Sequence, residues 1–156
     1  MDFDSPALQS VRTAGLAFRV VQTEIPSGPE ESAQLQGIEL AQLLRTIVVR
    51  LGEDDYVFVL VPGGRQIDWP KLRAVLGTRR LSLPDKEEAK QVTGYERGAI
   101  TPFGATRAWP VVADAAIAAA GLVAIGAGAR GANIHVDAAA LLTTLDARVA
   151  DVTKPS

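Results

Sequence analysis

The sequence predicts an α+β fold, a mixed and curled central β-sheet flanked by helices within one domain, and three observations carry that prediction. Residues 44–51 (LRTIVVRL) and 56–61 (YVFVLV) are runs of β-branched and aromatic residues separated by the turn sequence GEDD, the pattern of a β-hairpin. Helix-start signals at Ser5, Asp68, Pro84 and Asp137 are scattered among short strand-like segments, without the regular β-α alternation of a doubly wound sheet. The 156 residues contain no internal repeat and no low-complexity linker, so a single domain over 1–156, with its core at about 5–152, is expected.

Taken in order, Ser5 to Ala14 reads as a short helix, with Ser5 as N-cap, Pro6 at the first helical position and Gly15 closing it. Leu8, Val11 and Ala14 would share its inner face. Phe18 to Val21 reads as a strand. After the Pro26–Pro29 punctuation, Ala33, Leu35, Ile38, Leu40 and Leu43 mark one or two helical turns interrupted near Gly37. The hairpin follows and is expected at the centre of the sheet, ending at Pro62, Gly63 and Gly64. Asp68 caps a helix through Leu76 with Trp69, Leu72 and Val75 inward, and Gly77 stops it. Arg80 to Leu83 is a candidate strand. Pro84 opens a helix through Val92, whose early Asp85, Glu87 and Glu88 suit the helix dipole. Ala108 to Ala113 reads as a strand, in which Pro110 argues for an edge or irregular position. Leu122–Ile125 and Asn133–Val136 are strands separated by GAGARGA, and Asp137 caps a helix over 138–145. Arg148–Val152 is a last strand before a frayed tail.

Composition narrows the chemistry. There is no cysteine, so thiol catalysis, disulfides and thiolate metal sites are excluded, and a reducing, cytoplasmic setting is expected. No charged segment followed by an apolar run opens the sequence, and the low-charge stretch 115–129 is too short to span a bilayer. The formal net charge of -2 carries no global commitment to nucleic acid. Local basic groups (Arg45 and Arg50, Lys71 and Arg73, Arg79 and Arg80) are either solubilising charge or contacts to a few phosphates at one end of an RNA.

The stretch Thr93–Gly104, TGYERGAITPFG, follows neither strand nor helix periodicity. Its three glycines and Pro102 make it a shaped loop, and therefore either a site or a tight connection. The glycines Gly126, Gly128 and Gly131 have dinucleotide-fingerprint spacing, but strand-like NIHV follows them instead of a helix, so a loop facing the first one is the better reading. Arg45 heads the most apolar strand, so its guanidinium either snorkels off the sheet end or is aimed into a cleft to bind a carbonyl, carboxylate or phosphate. Asp114 either caps the following turn or orients Arg45. His135 is the only histidine; a triad would have to run through it, and no serine has the elbow context that a triad needs. No spacing supports a metal site.

The segments LRTIVVR, VFVLVPGGRQIDWPKL, TGYERGAITPFG and GAGARGANIHVDAAALL together resemble the YbaK/prolyl-tRNA-synthetase-associated domain family over about Ser5 to Val152. The most characteristic motif is Gly98, Pro102, Phe103 and Gly104, preceded by Thr93, Gly94 and Tyr95. The resemblance implies an aminoacyl-tRNA deacylase that hydrolyses the ester of a mischarged tRNA, tRNA(Pro) or another carrying a small wrong amino acid. With no synthetase domain in these residues, it would act in trans. The implied partners are the tRNA 3′ end and a synthetase that delivers it. Neither DNA nor a membrane is implied, and no metal or organic cofactor.

Carried over by position, the resemblance assigns Arg45, Gly98 and Gly104 to catalysis. It assigns Thr46, Tyr95, Thr101, Pro102, Phe103, Gly126, Gly128 and Gly131 to the walls around the terminal adenosine and its ester. Phe18, Ile47 and Ile134 would complete the pocket lining; separately from the carried-over positions, the chain's local basic residues Lys71, Arg73, Arg79 and Arg80 would form the RNA interface. Two positions depart from the family's pattern. Family members commonly carry lysine before the threonine or serine where this chain has Arg45–Thr46, and a serine or alanine before glycine where it has Gly126-Ala127-Gly128. Two competing readings follow: a non-catalytic module that binds an aminoacyl-adenosine-like ligand, and a hydrolase of another small acyl ester.

Overall fold

The structure is a computed structural model that describes residues 3–156. Helix α1 (Pro6–Ala14) is capped by the Ser5 side chain, which accepts from Leu8 N–H, and closed by Gly15 at φ 74°. Ala7, Leu8 and Val11 are its buried residues, whereas Ala14 is exposed. Strand β1 (Arg19–Gln22) leads to α2 (Pro29–Gln36), which Gly37 ends, and to a single 3-10 turn at Leu40–Gln42.

The hairpin forms as β2 (Leu44–Gly52) and β3 (Asp55–Pro62), with Asp54 at positive φ in the turn. Then come β4 (Arg65–Ile67), α3 (Trp69–Leu76), α4 (Lys86–Thr93), β5 (Val111–Asp114) and a 3-10 turn at Ala115–Ala119. The chain finishes with β6 (Leu122–Ala129), β7 (Ala132–Asp137), α5 (Ala138–Thr144), β8 (Arg148–Ala150) and β9 (Thr153–Pro155). Asp68, Asp85 and Asp137 each cap their helix by accepting a backbone N–H three residues on.

Two sheets and a ribbon result: β1-β7-β6, β2-β3-β5-β8, and β4-β9. The four-stranded sheet is mixed, because β3 pairs antiparallel with β2 but parallel with β5, which is parallel with β8. A lone parallel bridge from Leu43 to Ala124 joins the two sheets. Strand β3 runs between two cores. Phe58 and Leu60 pack into one, and Val57, Val59 and Val61 into the other. Burial on both faces explains why its sequence is continuously apolar instead of alternating. Full burial of Phe58 alone is worth about 1.5–3 kcal/mol.

Several expectations are corrected. The hairpin does not occupy the sheet centre: β3 is interior, but β2 is the outer strand of its sheet. Conversely β5 is interior; of the two positions Pro110 allowed, the irregular one holds, since Pro110 stands one residue before the strand and its carbonyl accepts Phe58 N–H at 2.8 Å. Residues 80–83 form no strand, only a bridge between Ser82 and Arg50. GAGA belongs to β6, with a register shift between Gly126 and Ala129, so the connection to β7 is much tighter than a seven-residue loop. The tail does not fray: β9 pairs with β4 from Arg65–Pro155 to Ile67–Thr153. Asp114 caps the 3-10 turn through Ala116 N–H and also accepts Val152 N–H, so it does not orient Arg45.

Candidate active site

A cleft of about 470 Å³ opens between the start of β2, the loop after α4, the β6–β7 connection and the segment leading into α2. That volume lies within the roughly 300–1,000 Å³ of small-molecule sites. Its walls include Arg45, Thr46 and Ile47 from β2, Arg97–Ile100 from the loop, Gly126 and Ala129–Asn133 from β6–β7, and Ile25, Pro26 and Ser32 from the α2 side. Three arginines and no carboxylate line it, so low-dielectric walls would focus a positive potential inward.

Arg45 is exposed at the head of β2, and its Nη2 donates to the Arg65 carbonyl at 3.1 Å. It makes no ion pair among the described residues. The neighbouring Thr46 Oγ1 is the one buried side-chain oxygen or nitrogen without a hydrogen-bond partner among the described residues. Such an orphan costs about 1–3 kcal/mol and needs an explanation; its residue forms part of the cleft wall.

The loop that carries Gly98 is fixed from behind. Thr93 Oγ1 donates to Ala89 O and accepts Tyr95 N–H, and Tyr95 Oη donates to Phe103 O at 2.7 Å. Arg130 Nη2 donates to Arg97 O at 3.2 Å, which ties the β6–β7 turn to this loop across the mouth of the cleft. Gly98 stands at φ 94°, and a Cβ there would lie 3.3 Å from Arg130 Nε. Ala99 N–H is used by Glu96 O, whereas Gly98 and Ile100 N–H have no protein acceptor among the described residues. They are free donors on the wall.

Behind Ser32 lies a buried polar chain. Gln36 Nε2 donates to Ser32 Oγ at 3.0 Å, and Gln36 Oε1 lies 3.0 Å from His135 Nε2. An amide oxygen only accepts, so His135 carries its proton on Nε2. Burial and the nearby Arg19 charge push the His135 imidazole below its ordinary pKa and keep it neutral. Ser32 Oγ accepts from Gln36, and its own hydrogen has no acceptor among the described residues, while the residue lines the cleft.

The expected site residues therefore divide. Arg45, Thr46, Ile47, Gly98, Gly126 and Gly131 are brought together on the walls. Tyr95, Thr101, Phe103 and Ile134 are instead buried behind them, and Phe18 packs against the same core. Pro102, Gly104 and Gly128 also stand off the cleft. Gly104 lets the loop touch α1, where a Cβ would lie 2.5 Å from the Pro6 backbone; at Gly128 it would lie 2.9 Å from the Tyr95 ring. Of the proposed RNA contacts, Lys71 is paired with Asp151 at 3.0 Å. Arg73, Arg79 and Arg80 line a separate cavity. Arg97, Arg130, Ser32 and Gln36 carried no sequence signal, since each acquires its role through a contact distant in sequence. Among the described residues no cluster of three or more His, Cys, Asp or Glu side chains could hold a metal ion, and no helix is long and apolar enough to cross a membrane.

Comparison with known proteins bears on this cleft. Residues 26–144 match the model of the aminoacyl-tRNA editing domain, a segment that contains every cleft-lining residue except Ile25. EbsC of Enterococcus faecalis, assigned as a Cys-tRNA(Pro)/Cys-tRNA(Cys) deacylase, is 25% identical over 124 residues, which cover 80% of this chain and 76% of that protein. A proline–tRNA ligase of Xanthomonas oryzae is 32% identical over 131 residues, which cover 83% of this chain but only 23% of the ligase. A solved structure, assigned as a trans-editing enzyme for prolyl-tRNA synthetase, superposes with a TM-score of 0.87 at 25% identity. It covers 98% of this chain and 99% of its own.

Proposed function

Because this chain belongs to the aminoacyl-tRNA editing domain family, we propose that it is a deacylase acting in trans on tRNA charged with the wrong small amino acid, tRNA(Pro) first among them. The observation that carries the reading is the coincidence of the family's matched segment with the acid-free arginine cleft. A trans-editing relative of almost the same extent supports action without an attached synthetase.

Hydrolysis of an aminoacyl ester joins a water oxygen to the carbonyl carbon and breaks the bond to the ribose oxygen, which leaves as a hydroxyl. An ester is activated already, so positioning and charge stabilisation supply most of the catalysis. Arg45 holds the carbonyl or the terminal phosphate. The free N–H groups of Gly98 and Ile100 face the developing oxyanion, and Thr46 Oγ1 and Ser32 Oγ bond the ribose or the amino acid. The substrate's neighbouring ribose hydroxyl positions the water, which fits a cleft with no histidine on its walls, the chain's only one being buried against Gln36. A synthetase that hands over the tRNA is the second partner.

The test is release of free amino acid from tRNA(Pro) charged separately with alanine, cysteine, serine and threonine, beside an Arg45→Ala control. Release from at least one substrate, slowed at least tenfold in the control, is expected, one charge-assisted contact of about 1.5–3 kcal/mol being lost. No release across a broader panel of mischarged tRNAs would leave a binding module; equal turnover of a small aminoacyl ester lacking RNA would make it a general esterase.

A further inference from the structure

A second cavity, of about 430 Å³, is lined by Arg50, Leu51, Gly52, Arg73, Arg79, Arg80, Leu81 and Ser82. It gathers four guanidinium groups in a chain whose net charge is -2, and no carboxylate is among its lining residues. Only Arg50 has an acidic partner, Glu88 at 3.5 Å; Arg73, Arg79 and Arg80 make no ion pair among the described residues. The acidic turn residues Glu53, Asp54 and Asp55 follow Gly52 but are not among the lining residues.

The arginines sit on braced backbone. Arg73 lies in the last turn of α3, where its carbonyl accepts both Gly77 and Thr78 N–H. Ser82 is tied to Arg50 by two backbone hydrogen bonds, Arg50 N–H to Ser82 O at 2.8 Å and Ser82 N–H to Arg50 O at 3.1 Å. The segment with Arg79 and Arg80 is thereby held beside the end of β2, over the half-buried Leu51 and Leu81. Like charges brought together on fixed backbone repel, unless an anion sits among them. Planar guanidinium forks fit the paired oxygens of a phosphate.

We propose that this basin binds backbone phosphates of the RNA whose esterified 3′ end occupies the cleft, a proposal that rests on the deacylase reading. Strand β2 spans both sites, with Ile47 in the cleft and Leu51 in the basin, both on the strand face that meets the second core. At about 3.3 Å per residue they are roughly 13 Å apart along the strand. That is about four steps of a stacked strand at about 3.4 Å per nucleotide. The basin therefore takes phosphates about four nucleotides in from the 3′ end, beyond the reach of a dinucleotide fragment.

The experiment compares the wild type with the Arg73→Ala/Arg79→Ala/Arg80→Ala variant; Arg50 is left alone because it pairs with Glu88. Uncharged tRNA is titrated at several salt concentrations, and deacylation is measured on full-length mischarged tRNA and on a 3′-aminoacylated dinucleotide. The variant should bind tRNA about tenfold or more weakly, with the log K against log salt slope shallower by about 2. Its kcat/KM should fall in parallel on full-length tRNA and stay unchanged on the dinucleotide. Arg148→Ala, which removes a charge on β8 at the opposite edge of that sheet from β2, should match the wild type. The triple lysine replacement should keep the salt slope, which separates charge from folding damage. An unchanged slope, or equal losses on both substrates, overturns the basin while leaving the deacylase reading intact. A changed slope in a protein that hydrolyses none of the charged substrates sinks the deacylase reading and keeps the basin. If the triple variant loses capture of an acidic protein and not of tRNA, the basin belongs to protein docking and the proposal fails.

Discussion

Arg45 and Thr46 are adjacent on β2 yet stand in opposite energetic situations. Arg45 is solvated and held only by the Arg65 carbonyl. Its loss should cost little stability and instead lower kcat/KM about 10- to 150-fold, the equivalent of one charge-assisted contact of about 1.5–3 kcal/mol. Arg45→Lys should recover part of that rate, because the charge stays while the flat fork is lost. Steady-state deacylation of both variants checks the pair. Thr46 Oγ1 is buried without a partner. Thr46→Val keeps the shape and removes the orphaned oxygen, so urea unfolding should show a protein unchanged or stabilised by up to about 1–3 kcal/mol. Its deacylation should nevertheless be slower. A slower and more stable variant would mark the hydroxyl as a group kept for substrate at the expense of the fold; an equally fast one would remove it from the site.

At the scale of elements, the site depends on a loop clamped by contacts that never touch the cleft. Gly104 stands at φ 68° with the Pro6 backbone 2.5 Å from where a Cβ would be. Gly104→Ala should destabilise the protein by about 2 kcal/mol or more, through both the left-handed backbone and the displaced start of α1. Ser5 fastens the same corner twice, capping α1 and donating to the Ala127 carbonyl at 2.7 Å. Ser5→Ala should cost about 1 kcal/mol or somewhat more. Denaturant midpoints report both, and neither change should abolish deacylation at a temperature where the variant remains folded. This corner also explains what the sequence could and could not say. Caps at Ser5, Asp68 and Asp137 are local chemistry, so those helices were legible to within a residue or two, whereas α4 starts at Lys86 under an Asp85 cap and not at Pro84. The stiff hairpin was equally plain. The strands β4 and β9 were not, because RQI and TKP have no pattern of their own and become strands only by pairing across the chain. Pro110 left an edge and an irregular position both open for a related reason: its missing N–H matters only inside a ladder, and the ladder starts at Val111. Gly98, Gly126 and Gly131 were readable as backbone walls, whereas Tyr95 and Phe103 were read as ligand contacts when their job is to hold the loop. Glycine reveals a constraint but not what imposes it.

Across the whole molecule, the buried His135–Gln36–Ser32 chain links β7 to α2 and so joins a sheet to one wall of the cleft. Burial and Arg19 hold the native His135 below its ordinary pKa of 6.5. The unfolded chain therefore takes up the proton first as pH falls, so stability is fully present above about 6.5 and declines below it toward the lower native value. A urea midpoint series should show this decline, and His135→Gln, which cannot gain the proton, should flatten that component. An equally steep decline in the variant would assign it to carboxylates. The β4–β9 ribbon has a different molecular reach. It holds the chain's last residues by three residue pairs, and Arg65 adds bonds from Nε to Thr153 Oγ1 and from Nη2 to Thr153 O. The carbonyl of that same Arg65 anchors Arg45. Mechanically, the carboxyl end is a drawstring: tension on Ser156 would peel β9 first, slacken Arg65 and loosen the arginine in the cleft while the two cores were still closed. A bead, surface or bulky fusion tethered there would thus tune the site by load, whereas the same load borne elsewhere would have to open a core before the site felt it.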